Sequence, residues 1–247
     1  MELLGQPIWI WLLLIAGSWV AATISGAAGF GGALLLLPLL SNTLGPKAAV
    51  PVLTVAQLLG NLSRVGFGVR QIAWRPVAWF LLGAIPASVL GARFFVALPK
   101  DWLMAGIGVV VVLVVVARRT RLIKRWDRKH QLVGAGALVG FLSAVAGSAG
   151  PLGAAVFLGL DLGPVAYVAS EAVNAVVMHL TKAVVYQRYS LIGPTELAQG
   201  LILGLAMVAG SWTGKRIIER LPKEKFILFV EVLLVLIGLQ LLISAFV

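Results

Sequence analysis

Long apolar segments separated by short polar ones make up most of this chain. They recur at about 8–24, 50–65, 77–96, 103–117, 132–145, 166–186, 197–212 and 226–246. Most approach the ~20 residues that an α-helix needs to cross a bilayer. The pattern therefore predicts an all-α polytopic membrane protein with about eight full spans.

Two glycine-rich stretches interrupt this pattern. Residues 25–33 (SGAAGFGGA) return 121 residues later as residues 146–154 (AGSAGPLGA). If residues 8–40 formed one helix, it would be about 50 Å long, well beyond a ~30 Å hydrocarbon core. The glycines must therefore break it. Broken membrane helices surround transport sites, so we expect two broken or re-entrant glycine-interrupted segments beside a central site.

The two halves of the chain resemble each other beyond the glycines. Matching residues lie 118 apart in the next stretch, where Arg64 corresponds to Lys182, and 123 apart after it. We therefore predict a first transmembrane repeat at 1–117 and a second at 131–247, joined by a basic cytoplasmic linker at 118–130.

Composition agrees with a membrane protein. The chain is 60% hydrophobic and 12% charged, with a mean hydropathy of +1.02, so a water-soluble fold would lack polar surface. The net charge of +11 is concentrated in the linker, which indicates a cytoplasmic loop of a multi-pass protein in the cell inner (plasma) membrane, not nucleic-acid binding. The chain has no cysteine, which excludes disulfides and thiolate metal sites.

The charges also bear on topology. Four spans per half would make the repeats parallel, whereas a fifth, returning segment after each glycine break would make them inverted. The inverted arrangement separates the basic residues more unequally between the two sides and places the uncharged N-terminus opposite the linker. We favour the inverted arrangement.

The sixth apolar segment holds the clearest group of polar residues. Four of them share one broad helical face: Glu171, Asn174, His179 and Lys182. Asn61 and Arg64 occupy the positions of the first half that match His179 and Lys182. A charged group in hydrocarbon costs ~2.5–3.5 kcal/mol on insertion scales, so such residues usually face a cavity.

Two cations beside glycine loops with exposed N–H groups predict an anion site. The expected substrate-binding residues come from both halves: Gly29, Gly31, Gly32, Asn61, Arg64, Gly150, Gly153, Asn174, His179 and Lys182. The alternative is that Arg64 and Lys182 extend to a membrane interface. Six other glycines are expected only to let helices approach closely: Gly134, Gly136, Gly140, Gly200, Gly204 and Gly210.

Glu171 and His179 are the candidates for proton coupling, because carboxylates and imidazoles carry protons in pumps and transporters. The alternative is a fixed ionic network that holds Glu171, His179 and Lys182 in place. Only the second half carries both candidates.

The glycine-rich break with a leucine run and a proline at 26–38, the weaker second copy, the eight or so spans and the basic middle loop resemble the TauE/SafE family of sulfite exporters. The resemblance covers nearly the whole chain. It implies a membrane transporter of sulfite, sulfoacetate or another small organosulfur or carboxylate anion. The second copy departs from the family pattern at Pro151–Leu152 and at Gly159.

We therefore predict a secondary carrier of a small anion such as sulfite or a sulfonate, coupled to protons, and not an enzyme. The predicted partners are the anion and the lipid bilayer, with no cofactor, no metal and no nucleic acid, and a homo-oligomer stays open. Three alternatives remain: an anion channel, a non-transporting assembly or structural protein, and a hydrolase in which His179 activates Ser148.

Overall fold

The computed structural model describes residues 2–4, 6–30, 32–94, 116, 128–146, 150–188 and 192–243. A two-stranded hairpin, β1 (Glu2–Leu3) and β2 (Gln6–Pro7), precedes the helices. The helices of the first half are α1 (Ile8–Ala28), α2 (Gly32–Leu44), α3 (Pro46–Gly68) and α4 (Trp74–Phe94), with a 3₁₀ turn at Val69–Gln71. Those of the second half are α5 (Lys129–Ala146), α6 (Gly150–Leu158), α7 (Pro164–Arg188), α8 (Pro194–Ile218) and α9 (Lys223–Ile243).

The first glycine-rich stretch breaks the helix, as predicted. Gly29 caps α1 with a φ of 84°, and its N–H donates to the Ser25 carbonyl at 2.8 Å. A left-handed residue of this kind ends a helix at little cost only when it is glycine. In the second half α5 ends at Ala146 and α6 begins at Gly150; residues 147–149, which include Ser148, lie outside the described residues.

Each break is followed by a short helix. α2 has 13 residues and α6 has nine, about 20 Å and 14 Å at 1.5 Å per residue. Neither length reaches across a ~30 Å hydrocarbon core. The residues of α6 from Pro151 to Leu158 are all buried, so this segment lies inside the protein and not against lipid.

Close contacts give the directions of three helices that pack together. α1, α3 and α8 all run the same way, because residue numbers rise together along each contact. The neighbouring pairs are Trp19 with Gly210, Thr23 with Gly214, Val55 with Gly200 and Leu59 with Gly204. α2 returns between α1 and α3.

α7 runs in the opposite direction to α1, α3 and α8. Gly68 at the end of α3 lies beside Val165 and Ala169 at the start of α7, so these helices are antiparallel. α4 and α5 run parallel to each other, with Gly136 beside Phe80.

Leu4, near the chain start, and Lys129, at the start of α5, lie at opposite ends of the bundle. Gln199 at the start of α8 donates to the Leu4 carbonyl at 3.4 Å. Lys129, near the end of the linker, has its Nζ 5.0 Å from the ring centroid of Trp79 near the start of α4. We call the end with Lys129 the linker end; α3 and α8 finish there.

Five of the six glycines assigned to helix packing do meet a neighbouring helix closely: Gly136, Gly140, Gly200, Gly204 and Gly210. The prediction was wrong for Gly134, which faces open space because it lies on the outer side of α5. Close backbone approach of this kind is how small residues bring membrane helices together.

The outer surface is apolar, as a bilayer requires: Leu12 and Leu205 are 66% and 69% exposed. Three described helical stretches are long and apolar enough to cross a membrane: Ile8–Ala28, Ala48–Gln71 and Pro194–Ile218. All but one of the predicted apolar segments coincide with a helix. The exception, 103–117, lies outside the described residues except for Val116, and the count of eight spans stays a prediction.

Candidate functional site

A cavity opens in the middle of the bundle, between α3, α7 and the two glycine breaks. It encloses about 440 Å³ of empty space, including its mouth. We call it the central cavity and define it by six polar lining residues: Gln57, Asn61, Arg64, Glu171, His179 and Lys182. Three come from each half of the chain. Gln57, Asn61 and Arg64 have a helical spacing of four and three, which puts them on one face of α3.

Arg64 is buried, not extended to an interface: it is only 5% exposed. Its Nη1 donates to the carbonyls of Ser25 at 3.0 Å and Gly29 at 2.9 Å, and its Nη2 donates to Asn61 Oδ1. The two carbonyls belong to the end of α1, where helical hydrogen bonding stops and acceptors become available. The first glycine break therefore holds the guanidinium through its carbonyl groups.

Glu171 faces Arg64 from the other half of the chain. Its Oε2 lies 3.7 Å from Arg64 Nη1, and both side chains are buried. No described group donates a hydrogen bond to this Oε2. The pair is therefore a buried ion pair with one carboxylate oxygen still able to accept a proton or a hydrogen bond.

Lys182 is also buried, at 4% exposed, so it does not extend to an interface. It lines the central cavity one turn after His179. Both predicted cations therefore line the same cavity, which concentrates positive charge there.

Many of the lining residues recur at a single spacing along the chain. Five pairs lie 118 residues apart: Ser25 and Ser143, Gly32 and Gly150, Gln57 and Ala175, Asn61 and His179, and Arg64 and Lys182. The helices agree, since α1 and α5 end, and α2 and α6 begin, at the same separation. Within the glycine breaks, the structure thus aligns the two halves at a separation of 118 residues. The glycine pattern alone suggested 121 residues, which aligned Gly29 with Gly150.

Most of the predicted site residues meet in this cavity, including Gly29, Gly32 and Gly150. Asn174 does not line it; its Nδ2 donates to the Ser170 carbonyl of its own helix at 3.2 Å. Gly153 is buried near Glu171 but is also absent from the lining. Gly31 lies outside the described residues.

Three polar residues of the lining were not among the predicted site residues: Ser25, Ser143 and Gln57. Gln57 was detectable, because it precedes Asn61 by one helical turn on the same face. The serines were harder to find, since a lone serine in an apolar helix more often bonds to its own backbone.

Several buried donors around the central cavity lack an acceptor in the described part of the chain. Gln57 Nε2, Asn61 Nδ2 and Arg64 Nε have no hydrogen-bond partner among the described residues. An unpaired buried donor costs ~1–3 kcal/mol. A bound group that brings several acceptor oxygens would satisfy these donors, and charge-assisted bonds to an oxyanion are the strongest of this kind.

Comparison with known proteins identifies the family. No curated protein and no solved structure matches the chain. The family model described as Sulfite exporter TauE/SafE matches residues 13–241, nearly the whole chain. The chain therefore belongs to the TauE/SafE sulfite exporter family, whose members are integral membrane transporters of sulfur-containing anions.

Proposed function

We propose that this protein is a multi-pass secondary carrier of the inner membrane that moves sulfite, a sulfonate or another small organosulfur or carboxylate anion, and that it is not an enzyme. One observation carries the proposal: Arg64 and Lys182, one from each half, are both buried and line the same cavity. Two buried cations that line one cavity in a membrane attract a negatively charged partner.

The lining supports a small oxyanion as that partner. The donors of Gln57, Asn61 and Arg64 lack acceptors, and sulfite or a sulfonate carries three oxygens that could receive them. Arg64 offers a planar fork, whereas Lys182 acts as a point charge. His179 lines the opposite wall, and its Nδ1 has no described partner.

The Arg64–Glu171 pair supports proton coupling. An anion that approaches Arg64 competes with the Glu171 carboxylate 3.7 Å away. A proton on Glu171 removes this competing charge, so anion and proton would enter the cavity together. His179 would then accept or relay the proton from its place in the same lining.

The helix directions support inverted repeats. α1 begins the first half in one direction, and α5 begins the second half in the other, because α1 runs with α3 while α5 runs with α4. The placement of Leu4 and Lys129 at opposite ends of the bundle agrees with this. In inverted repeats, the contact between α1 and α8 corresponds to the contact between α5 and α4. Inverted repeats around a central site are typical of secondary carriers.

Transport by purified protein in liposomes tests the proposal. A panel of sulfite, sulfonates and small carboxylates is first screened for thermal stabilisation of the protein. The best anion is then used for counterflow, and a saturable exchange is expected of a carrier. The double variant Arg64→Gln, Lys182→Gln should lower the initial rate by about 100-fold or more, equivalent to ~2.7 kcal/mol.

A matched control removes the same charge elsewhere. Arg70 and Lys225 are exposed, so Arg70→Gln, Lys225→Gln should keep the rate within about twofold, as expected for screened surface charges. Full transport by the Arg64, Lys182 double variant would reject the site. Linear, unsaturable flux without counterflow would instead favour an anion channel.

A further inference from the structure

A second cavity lies at the linker end of the bundle, against the other side of Arg64. About 240 Å³ of empty space, including the opening to solvent, lies between the end of α3, the start of α7 and the end of α8. We call it the linker-side cavity and define it by Arg64, Val165, Ser211, Lys215 and Ile218. Arg64 is shared with the central cavity.

The two cavities follow one another along α3 and α7. On α3 the central cavity reaches Gln57 and the linker-side cavity reaches Gly68, with Arg64 between them. On α7, which is antiparallel to α3, Val165 lines the linker-side cavity and Lys182 lines the central cavity. The 17 positions between these two residues correspond to about 25 Å of helix at 1.5 Å per residue, most of a ~30 Å hydrocarbon core.

Arg64 lies between the two cavities and lines both of them. Its guanidinium is bonded to the carbonyls of Ser25 and Gly29, so it is fixed across the junction. An anion that moves between the cavities along α3 would meet this side chain and bond to it.

Lys215 supplies a second cation to the linker-side cavity. Its side chain is 29% exposed, and its Nζ lies 5.7 Å from the centroid of the Phe67 ring and 3.2 Å from Glu219 Oε1. The remaining walls are mainly small or apolar, which weakens screening of this charge inside the cavity.

We infer that the linker-side cavity is a second subsite for the transported oxyanion, in which Lys215 holds the anion between the linker-side solution and Arg64. This inference rests on the anion transport proposed above and assigns a residue to it that lies outside the central cavity. Arg64 is the boundary between the two subsites.

Transport kinetics test the role of Lys215. Lys215→Gln should raise the half-saturating anion concentration on the linker side by about 3- to 10-fold with little change in maximal rate, because the cation raises the local anion concentration. Lys215→Arg should restore most of the affinity. Arg216→Gln is the matched control, since Arg216 is the next residue but is exposed and lies 4.9 Å from the Trp212 ring.

Glu219→Gln separates this role from a structural one. It breaks the same ion pair but keeps the Lys215 charge, so the half-saturating concentration should stay constant or fall. An equal rise in Lys215→Gln and Glu219→Gln, or no rise in Lys215→Gln, would overturn the assignment.

Cysteine labelling tests the cavities without measuring transport. The native chain has no cysteine, so Ser211→Cys and Ser143→Cys each introduce a single thiol, one in each cavity. A membrane-impermeant methanethiosulfonate applied from the linker side should modify Ser211→Cys at least about tenfold faster than Ser143→Cys. Val165→Cys is a second reporter for the linker-side cavity.

Equal labelling rates from the linker side would overturn the inference, and so would failure of both Ser211→Cys and Val165→Cys to react. Either result leaves the central anion site intact. Conversely, a wild-type protein that moves no anion would reject the proposed function while the labelling pattern still reports the two cavities.

Discussion

The two halves of the chain place corresponding residues in the central cavity but differ in chemistry. The first half contributes Asn61 and Arg64, and Arg64 is fixed by two backbone carbonyls and by Asn61. The second half contributes His179 and Lys182 at the matching positions, together with Glu171. The first half therefore presents an oriented fork of donors, whereas the second presents groups that can gain or lose a proton.

The difference suggests a division of labour within a symmetrical framework. A guanidinium stays charged at any physiological pH, so Arg64 suits permanent recognition of an anion. A carboxylate and an imidazole can change charge, so Glu171 and His179 suit control of binding. The Arg64–Glu171 pair is where the two functions meet.

The largest expected effect comes from exchanging the two cations one at a time. Arg64→Lys should lower transport by about 30-fold or more, because an ammonium cannot reproduce the bonds to Ser25, Gly29 and Asn61. Lys182→Arg should lower it by no more than about threefold, since a point charge is enough at that position. Initial rates in liposomes measure both. Similar losses in the two variants would contradict the division of labour.

A substitution of Glu171 should affect the coupling of transport to the pH gradient more than the rate of anion exchange. Glu171→Gln keeps the shape but removes the charge that competes for Arg64. We expect downhill anion exchange to persist within about fivefold while the stimulation by a pH gradient disappears. His179→Gln should weaken that stimulation in the same way.

Glu224→Gln is the matched control for Glu171→Gln, because Glu224 is exposed at the start of α9. It should keep the response to the pH gradient. Persistent stimulation of Glu171→Gln by the gradient would remove Glu171 from the coupling mechanism.

The two glycine breaks should also respond unequally. Gly29 has a φ of 84°, and a Cβ there would lie 2.6 Å from the Tyr167 ring. Gly29→Ala should therefore destabilise the protein by about 1–3 kcal/mol. At Gly153 the nearest atoms would be 3.8 Å away, so Gly153→Ala should be neutral or stabilising. Thermal unfolding in detergent compares them, and equal melting temperatures would contradict the described backbone.

The smallest effect is expected at an exposed ion pair. Lys223 Nζ lies 3.0 Å from Asp161 Oδ1, and both side chains are partly exposed. Lys223→Gln should lower stability by less than about 1 kcal/mol, and added salt should reduce the difference further. A loss as large as that of Gly29→Ala would show that this contact fixes α9 more firmly than its exposure implies.

The sequence predicted the helices and the first glycine break well, because both depend on local patterns. It also identified the cavity face of α7 almost correctly. Glu171, His179 and Lys182 fall within a face about 80° wide at ~100° per residue, whereas Asn174 lies about 60° to the other side of Glu171. A spacing rule that accepts a broad face therefore included one residue too many.

The long-range pairing could not be predicted in this way. Spacing along α7 shows that Glu171 shares a face with Lys182, but not that α3 packs antiparallel to α7 with Arg64 opposite Glu171. The linker-side cavity was missed for the same reason, since Lys215 belongs to a third helix whose apolar pattern gives no sign of it. Such contacts depend on how the helices assemble, which a periodic pattern does not encode.

Equilibrium binding tests the central claim most directly, because it requires neither transport nor coupling. Radiolabelled sulfite is titrated onto purified wild-type protein and onto Arg64→Gln, Lys182→Gln, with Arg70→Gln, Lys225→Gln as control. Saturable binding by wild type and control, and a loss of affinity of about 100-fold or more in the first variant, is the predicted result. Equal affinity in all three proteins would contradict the claim that Arg64 and Lys182 together hold the anion in the central cavity.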